Sequence, residues 1–146
     1  MISIIPARSG SKGLKNKNLK VLSNKPLVAW PIIAALESDC FTEVFVSTDS
    51  KEIQEVAIEY GANCPFLRPN ELAEDTSSSI DVIFHVLERL GDNGKSFDHI
   101  CMLEPTSPLT SSKDIQDSFE ILNSSRANLR ASMLAKTCFS CCADIK

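Results

Sequence analysis

The stretch MISIIPARSGSKGLKNKN, residues 1–18, sets two kinds of chain side by side. Residues 1–6 are short, apolar and rich in isoleucine, and they end in proline, a composition that predicts a buried strand. Residues 7–18 then mix glycine, serine, asparagine and cations without an acid. A buried strand that opens into a glycine-bearing cationic loop begins an α/β unit, because in open α/β sheets ligands bind beyond the carboxyl ends of the strands. The charge is local. Residues 1–36 carry Arg8, Lys12, Lys15, Lys17, Lys20 and Lys25, the first acid is Glu37, and the whole chain has 15 cations and 19 acids. A net charge of −4, with cations gathered in one loop, points to a small anion and argues against a broad nucleic-acid surface.

Working outward, the pattern repeats strand and helix. Leu27, Trp30, Ile33, Ala34 and Leu36 fall at helical spacing, with Pro26 near the helix start and Pro31 in its first turn. Residues 43–48 (EVFVST) read as a second strand. Asp49 or Ser50 caps the next helix, whose face is Ile53, Val56, Ala57 and Tyr60 and whose stop is Gly61. Residues 64–67 read as a short third strand, before the polar loop LRPNELAEDTSSS. Residues 77–90 predict a helix with Ile80, Ile83, Phe84, Leu87 and Leu90 as its apolar stripe. HICML at 99–103 is a fourth strand, and residues 114–122 a further helix with Ile115, Phe119 and Leu122 on one side. This alternation predicts an α/β fold in three layers: a mainly parallel sheet with helices on both faces.

The expected organisation is one nucleotide-binding part over residues 1–123 and an atypical, poorly ordered tail over 124–146. The tail has no clear period and no closing strand, and it holds Cys138, Cys141 and Cys142. Cys138-x-x-Cys141 is half of a zinc pattern with no second pair following, and His85 and His99 fall in other elements. Cys40, Cys64 and Cys101 sit among apolar neighbours and read as buried, reduced thiols. No run approaches the roughly 18 apolar residues of a membrane span. The N-terminus lacks a basic stretch before its apolar run, so the expectation is a cytoplasmic protein with no membrane partner.

The cationic loop has the parts of a phosphate cradle. Gly10 and Gly13 keep Cβ atoms away from backbone N–H groups, Ser9 and Ser11 add hydroxyls, Arg8 and Lys12 add charge, and Lys17 with Asn18 closes the far side. The stretch is not a Walker loop, and G-x-x-G falls short of the dinucleotide fingerprint. A solvated lysine-rich surface loop is the plainer alternative.

Four segments, in order, carry a resemblance: IPARSGSKGLKNKN at 5–18, VSTDS at 46–50, LRPNELAEDTSSS at 67–79 and LEPTSPL at 103–109. Together they resemble the sugar-acid cytidylyltransferases, in particular the acylneuraminate (CMP-sialic acid) synthetases, over residues 1 to about 122. The resemblance implies a nucleotide-diphospho-sugar-transferase-like fold. It also implies an enzyme that takes CTP and a nine-carbon 2-keto sugar acid, moves CMP to the sugar and releases pyrophosphate. Arg8, Gly10, Ser11, Lys12, Gly13, Lys17, Asn18, Arg68 and Ser78 would bind the nucleotide, with Lys17 and Arg8 as the catalytic cations. Helix capping is the competing reading for Ser77, Ser78 and Ser79, and for Asp49, whose other reading is a site carboxylate.

Glu104, Thr106 and Ser107 would line the sugar pocket. Many sialic acid synthetases have glutamine where this chain has Glu104, and an ionised carboxylate accepts hydrogen bonds but cannot donate them. This departure points toward diacylated nonulosonic acids of the legionaminic or pseudaminic type. The resemblance further implies Mg²⁺, although the family's Asp-x-Asp pair has no match here, and a homodimer, although the dimerisation region has no match either. The chain therefore reads as truncated or frame-shifted. Two alternatives remain open: a nucleotide-binding remnant without catalysis, and activation of a different sugar acid such as 3-deoxy-octulosonate.

Overall fold

The structure, a computed structural model, describes residues 1–10, 13–73, 77–91, 97, 99–124 and 140–144. In chain order its strands are β1 (Ile2–Pro6), β2 (Val21–Leu22), β3 (Lys25–Pro26), β4 (Glu43–Ser47), β5 (His99–Met102) and β6 (Ser140–Asp144). Its α-helices are α1 (Ala29–Ser38), α2 (Lys51–Glu59), α3 (Ser79–Gly91) and α4 (Ser112–Ser124), and short 3-10 turns span Lys17–Leu19 and Asn70–Ala73. The main sheet runs β4-β1-β5-β6. Strand β1 is its interior spine, parallel to β4 from Ile2↔Glu43 to Pro6↔Ser47 and parallel to β5 from Ile2↔Ile100 to Ile4↔Met102.

Alternation along the strands separates two cores. Ile5, Val44, Val46 and Cys101 face α1, α2 and α4, where Ile32, Ala35, Ile53, Ala57 and Ile115 cover them. Ile2, Ile4, Phe45 and Ile100 face α3, where Val86 and Leu90 cover them. A strand buried on both faces reads as a nearly continuous apolar run, as β1 does, and each isoleucine buried there contributes about 1.5–3 kcal/mol. The expected three-layer α/β arrangement is thus present. No helix among the described residues is long and apolar enough to cross a membrane.

Five details differ from the sequence reading. Residues 64–67 form no strand. Asn63 makes a single parallel bridge to Phe45, and Pro65, which has no N–H to give, ends the pairing. Residues 7–25 are not all loop, because β2 and β3 form a two-residue hairpin through Ser23 (φ 48) and Asn24 (φ 75). Those two left-handed positions twist the turn to match its strands. Pro26 accordingly lies in β3 rather than at the helix start, while Pro31 does sit in the first turn of α1. The apolar stripe of α3 is turned in part from the one expected: Leu90 is buried and Ile83 and Leu87 pack on the core as expected, but Val82 and Val86 are buried while Ile80 and Phe84 are 58% and 63% exposed. Finally, residues 140–144 close the sheet edge, antiparallel to β5 with Cys101 opposite Cys142. The segment 125–139 between α4 and that strand, including Cys138, lies outside the described residues.

The turn between α2 and the bridge matches expectation. Gly61 takes φ 93, and a Cβ there would lie 3.2 Å from a methyl of Leu36. Ser50, not Asp49, caps α2, accepting from the Ile53 N–H at 3.5 Å.

Candidate functional site

The parallel strands place their carboxyl ends together, and a cleft opens there. Pro6, Arg8, Gly10, Lys17, Asn18, Glu104, Pro105 and Thr106 line it, enclosing about 160 Å³. One wall is the loop after β1 and the other is the loop after β5. The 98 positions between paired Ile2 and Ile100 explain why no local sequence pattern joins the two walls.

The first wall is built by main-chain geometry. Ala7 continues β1 by donating its N–H to the Ser47 carbonyl at 2.9 Å. Asn16 takes a left-handed φ of 53 and starts the 3-10 turn that carries Lys17 and Asn18. Asn18 is buried, and its Nδ2 donates to the Arg8 carbonyl at 2.8 Å. Its own carbonyl accepts the Val28 N–H at 2.9 Å. This one residue therefore ties Arg8, the 3-10 turn and the approach to α1 together, leaving Lys17 and Arg8 on the same cleft. Arg8 also donates from Nη1 to the Ala73 carbonyl at 3.2 Å, which draws the Asn70–Ala73 turn toward the loop. A Cβ added at Gly10 or Gly13 would meet no heavy atom within 4 Å. Ser11 and Lys12 lie outside the described residues.

The second wall carries the acid. Thr106 donates its hydroxyl to Glu104 Oε2 at 3.1 Å, and the Ser107 N–H donates to the Glu104 carbonyl at 3.0 Å. Glu104 and Thr106 are exposed at the cleft, whereas Ser107 is half-buried and does not line it.

Arg68 lies apart from the lining, 5% exposed, with its N–H on the Thr48 carbonyl at 2.7 Å. Its Nε and Nη2 are buried without a hydrogen-bond partner among the described residues. Burial pulls the pKa of this guanidinium down, the Asp49 carboxylate pushes it up, and Arg8 pulls it down again. Ser78 is exposed, and its bonds are those of a helix start: its Oγ accepts from the Ile80 N–H at 3.1 Å, and its own N–H donates to Asp81 Oδ2 at 3.2 Å. The sequence reading missed Pro6 and Pro105 as lining. It also missed a link across the loops, where Ser9 donates its N–H (2.8 Å) and its hydroxyl to the two oxygens of Asp49. Ser9 and Asp49 are separated by 40 positions, and neither carries a local signal for the other.

A cleft with cations on one wall and an acceptor-rich acid on the other suits a substrate that is anionic at one end and hydroxylated at the other. The family model described as cytidylyltransferase matches residues 2–142. The chain belongs to the cytidylyltransferase family. This chain is 45% identical over 121 residues to CMP-N,N'-diacetyllegionaminic acid synthase of Legionella pneumophila, covering 83% of its own length and 52% of that protein. It is 46% identical over 121 residues to N-acylneuraminate cytidylyltransferase of Escherichia coli, covering 83% of its own length and 28% of that protein. The chain thus spans about half the length, or less, of these curated relatives. Among solved structures, it superposes on CMP:2-keto-3-deoxy-manno-octonic acid synthetase complexed with CTP at a TM-score of 0.71 and 23% identity, covering 86% of this chain and 48% of that one. At that identity the likeness concerns the fold.

The described residues do not build a magnesium cage. They contain no group of three or more His, Cys, Asp or Glu side chains placed to hold a metal. Asp49, the carboxylate singled out in the sequence, accepts from Ser9 on both oxygens.

Proposed function

We propose that this chain is the nucleotide-binding part of an enzyme that transfers CMP from CTP to a nine-carbon 2-keto sugar acid and releases pyrophosphate. The observation that carries the proposal is the single cleft that unites Arg8, Lys17 and Asn18 with Glu104 and Thr106. In the proposed reaction the anomeric hydroxyl of the sugar gives its proton to solvent and its oxygen forms a bond to the α-phosphorus. The bond from that phosphorus to the bridging oxygen breaks, and pyrophosphate departs with the electron pair. Little covalent chemistry falls to the protein in such a transfer, and rate comes from positioning and charge. Lys17 and Arg8 neutralise the phosphates. Gly10, Gly13, Ser11 and Lys12 complete the cradle, Arg68 and Ser78 hold the nucleoside, and Thr106 and Ser107 orient the sugar.

Glu104 selects the sugar class. A carboxylate that already accepts from Thr106 favours a partner rich in N–H and O–H donors. Diacylated sugar acids bring two such N–H groups, so the preferred substrate is of the legionaminic type, a reading supported by the name of the Legionella relative. The proposed enzyme is cytoplasmic and Mg²⁺-dependent, works as a homodimer, and has no nucleic-acid or membrane partner.

Calorimetric titration with CTP, and with ATP as control, tests the nucleotide half. A pyrophosphate-release assay with N-acetylneuraminate and N,N'-diacetyllegionaminate, with and without Mg²⁺, tests the transfer. CTP binding at least about tenfold tighter than ATP binding supports cytidine selection, and equal affinities overturn it. Because the chain spans about half of its Legionella relative, CTP binding without pyrophosphate release supports the second reading, a binding part whose chemistry needs further chain.

A further inference from the structure

The bond between Ser9 and Asp49 has no place in the roles above. Asp49 follows the end of β4, and Oδ1 accepts the Ser9 N–H at 2.8 Å while Oδ2 accepts the Ser9 hydroxyl. Its neighbour Thr48 is fully buried and takes the Arg68 N–H on its carbonyl. The tip of β4 therefore holds two loops at once, the cationic loop through Ser9 and the Arg68 segment through Thr48. Helix capping does not account for Asp49, since Ser50 performs it.

Arg68 supplies the second observation. Two of its guanidinium nitrogens are buried and unpartnered among the described residues, although the Asp49 charge acts on it. A guanidinium beside a carboxylate ordinarily closes into a two-pronged pair, which takes two of the guanidinium's donors. Here Ser9 bonds each oxygen once and so fixes the carboxylate's orientation, and in that orientation it lends charge to Arg68 without taking those two donors. A buried donor left unsatisfied costs about 1–3 kcal/mol, so such an arrangement persists where something else compensates for it, and an acceptor on an incoming ligand does so.

We propose that Asp49 and Ser9 act as a positioning pair, in which Ser9 fixes the cationic loop at the tip of β4 and holds the Asp49 carboxylate away from Arg68, keeping the guanidinium free for an acceptor on the nucleotide. This rests on the nucleotide reading of the site given above. Neither residue touches the reacting atoms. Without the Ser9 hydroxyl, Asp49 Oδ2 is released and turns to Arg68. The site keeps its net charge but loses donors.

The test is calorimetric titration of CTP and of inorganic tripolyphosphate into the wild-type chain and into Ser9→Ala, Ser9→Thr, Asp49→Asn and the Ser9→Ala/Asp49→Asn double variant, each checked by thermal melting. Ser9→Ala is expected to weaken CTP binding about tenfold or more, by the loss of charge-assisted contacts. Ser9→Thr, which restores a hydroxyl, is expected within about twofold of wild type. The double variant should bind no worse than the weaker single variant, because both changes remove one link.

A Ser9→Ala protein that melts like wild type and binds CTP as wild type overturns the proposal, as does a lowered melting temperature with unchanged affinity, which marks a purely structural bond. Should Asp49→Asn fail to fold, Ser9→Ala, which keeps the carboxylate and the backbone bond, carries the test alone. If the wild-type chain binds neither CTP nor tripolyphosphate, the nucleotide reading falls and this proposal with it. Normal wild-type binding with an indifferent Ser9→Ala defeats the positioning pair only.

Discussion

Asn18 offers the sharpest test of how the cleft is held, because two substitutions of nearly equal size make opposite demands on one bond. Asn18 is 6% exposed, and its Nδ2 lies 2.8 Å from the Arg8 carbonyl. Asn18→Ala removes the donor. The lost bond is worth about 1 kcal/mol net, and the part-buried carbonyl it leaves behind adds about 1 kcal/mol more. At roughly 4 °C per kcal/mol for a domain of this size, the melting temperature should fall by about 8 °C.

Asn18→Asp keeps the shape but turns an acceptor, with a charge, toward that same carbonyl. That contact between two acceptors should destabilise the fold at pH 7, and the negative charge beside Arg8 and Lys17, which offsets part of their positive charge, should weaken CTP binding further than alanine does. Its deficit has a pH signature. Facing a carbonyl in a buried position, the introduced carboxyl prefers its proton in the folded state, so the aspartate variant recovers stability as pH falls, whereas the alanine variant does not share this recovery. Thermal melts followed by circular dichroism between pH 5 and 8, with calorimetric CTP titrations at pH 7, give both quantities. An Asn18→Asp protein that melts within about 1 °C of wild type and binds CTP normally would refute the claim that this side chain organises the cationic wall.

Three further outcomes are expected. Lys17→Ala should weaken CTP binding by roughly 1–3 kcal/mol, a single charge-assisted contact, with little change in melting temperature; calorimetry alongside thermal melts checks both. Urea denaturation should separate the two stripes of α3: Leu90→Ala, at 3% exposure, should cost about 2–5 kcal/mol, while Phe84→Ser, at 63%, should stay within about 0.5 kcal/mol. Burial pushes the Cys64 thiol up to about 11, so at pH 8 only about a thousandth of it is thiolate, and mass-spectrometric mapping of iodoacetamide labelling should find Cys40 modified well before Cys64. The folded state holds that proton more tightly than the unfolded chain, whose thiol titrates near 9.0. The contribution to stability is therefore full below pH 9 and lost as pH rises toward 11, and Cys64→Val should flatten that decline in denaturation titrations.

What could be read from the sequence followed from how far apart the cooperating residues lie. The isoleucines of β1, the EVFVS strand and the Gly61 stop are written locally, as apolar runs and a left-handed turn, and they are where the sequence places them. In α3, Ile83, Leu87 and Leu90 lie on the core as their spacing predicts, but Ile80 and Phe84 are spaced for an inward face as well as Val82 and Val86 are. Only the position of β1 and β5 beneath the helix decides which set turns inward. Arg8, Lys17 and Asn18 announced themselves by charge and glycine spacing, and Glu104 and Thr106 by their motif, and all five share the cleft. The bond from Ser9 to Asp49 was not legible, because a serine in a loop and an aspartate before a helix each have a sufficient local use. The hairpin at Ser23 and Asn24 was hidden for a different reason: two-residue strands carry no periodicity to detect.

The sheet order has a consequence for how the protein is made. Strand β1 needs two neighbours, and one of them, β5, is synthesised some 98 residues later, as the Ile2↔Ile100 register requires. At ribosomal speeds of about 5–20 residues per second, β1 waits roughly 5–20 s for that partner. During that interval Ile2, Ile4 and Ile5, all fully sequestered in the finished molecule, belong to a strand with at least one unpaired edge. A nascent chain in this position is a natural client for a chaperone that shields apolar segments. Substitutions that slow the arrival of β5 should lower the yield of native protein without changing the stability of the molecules that do fold.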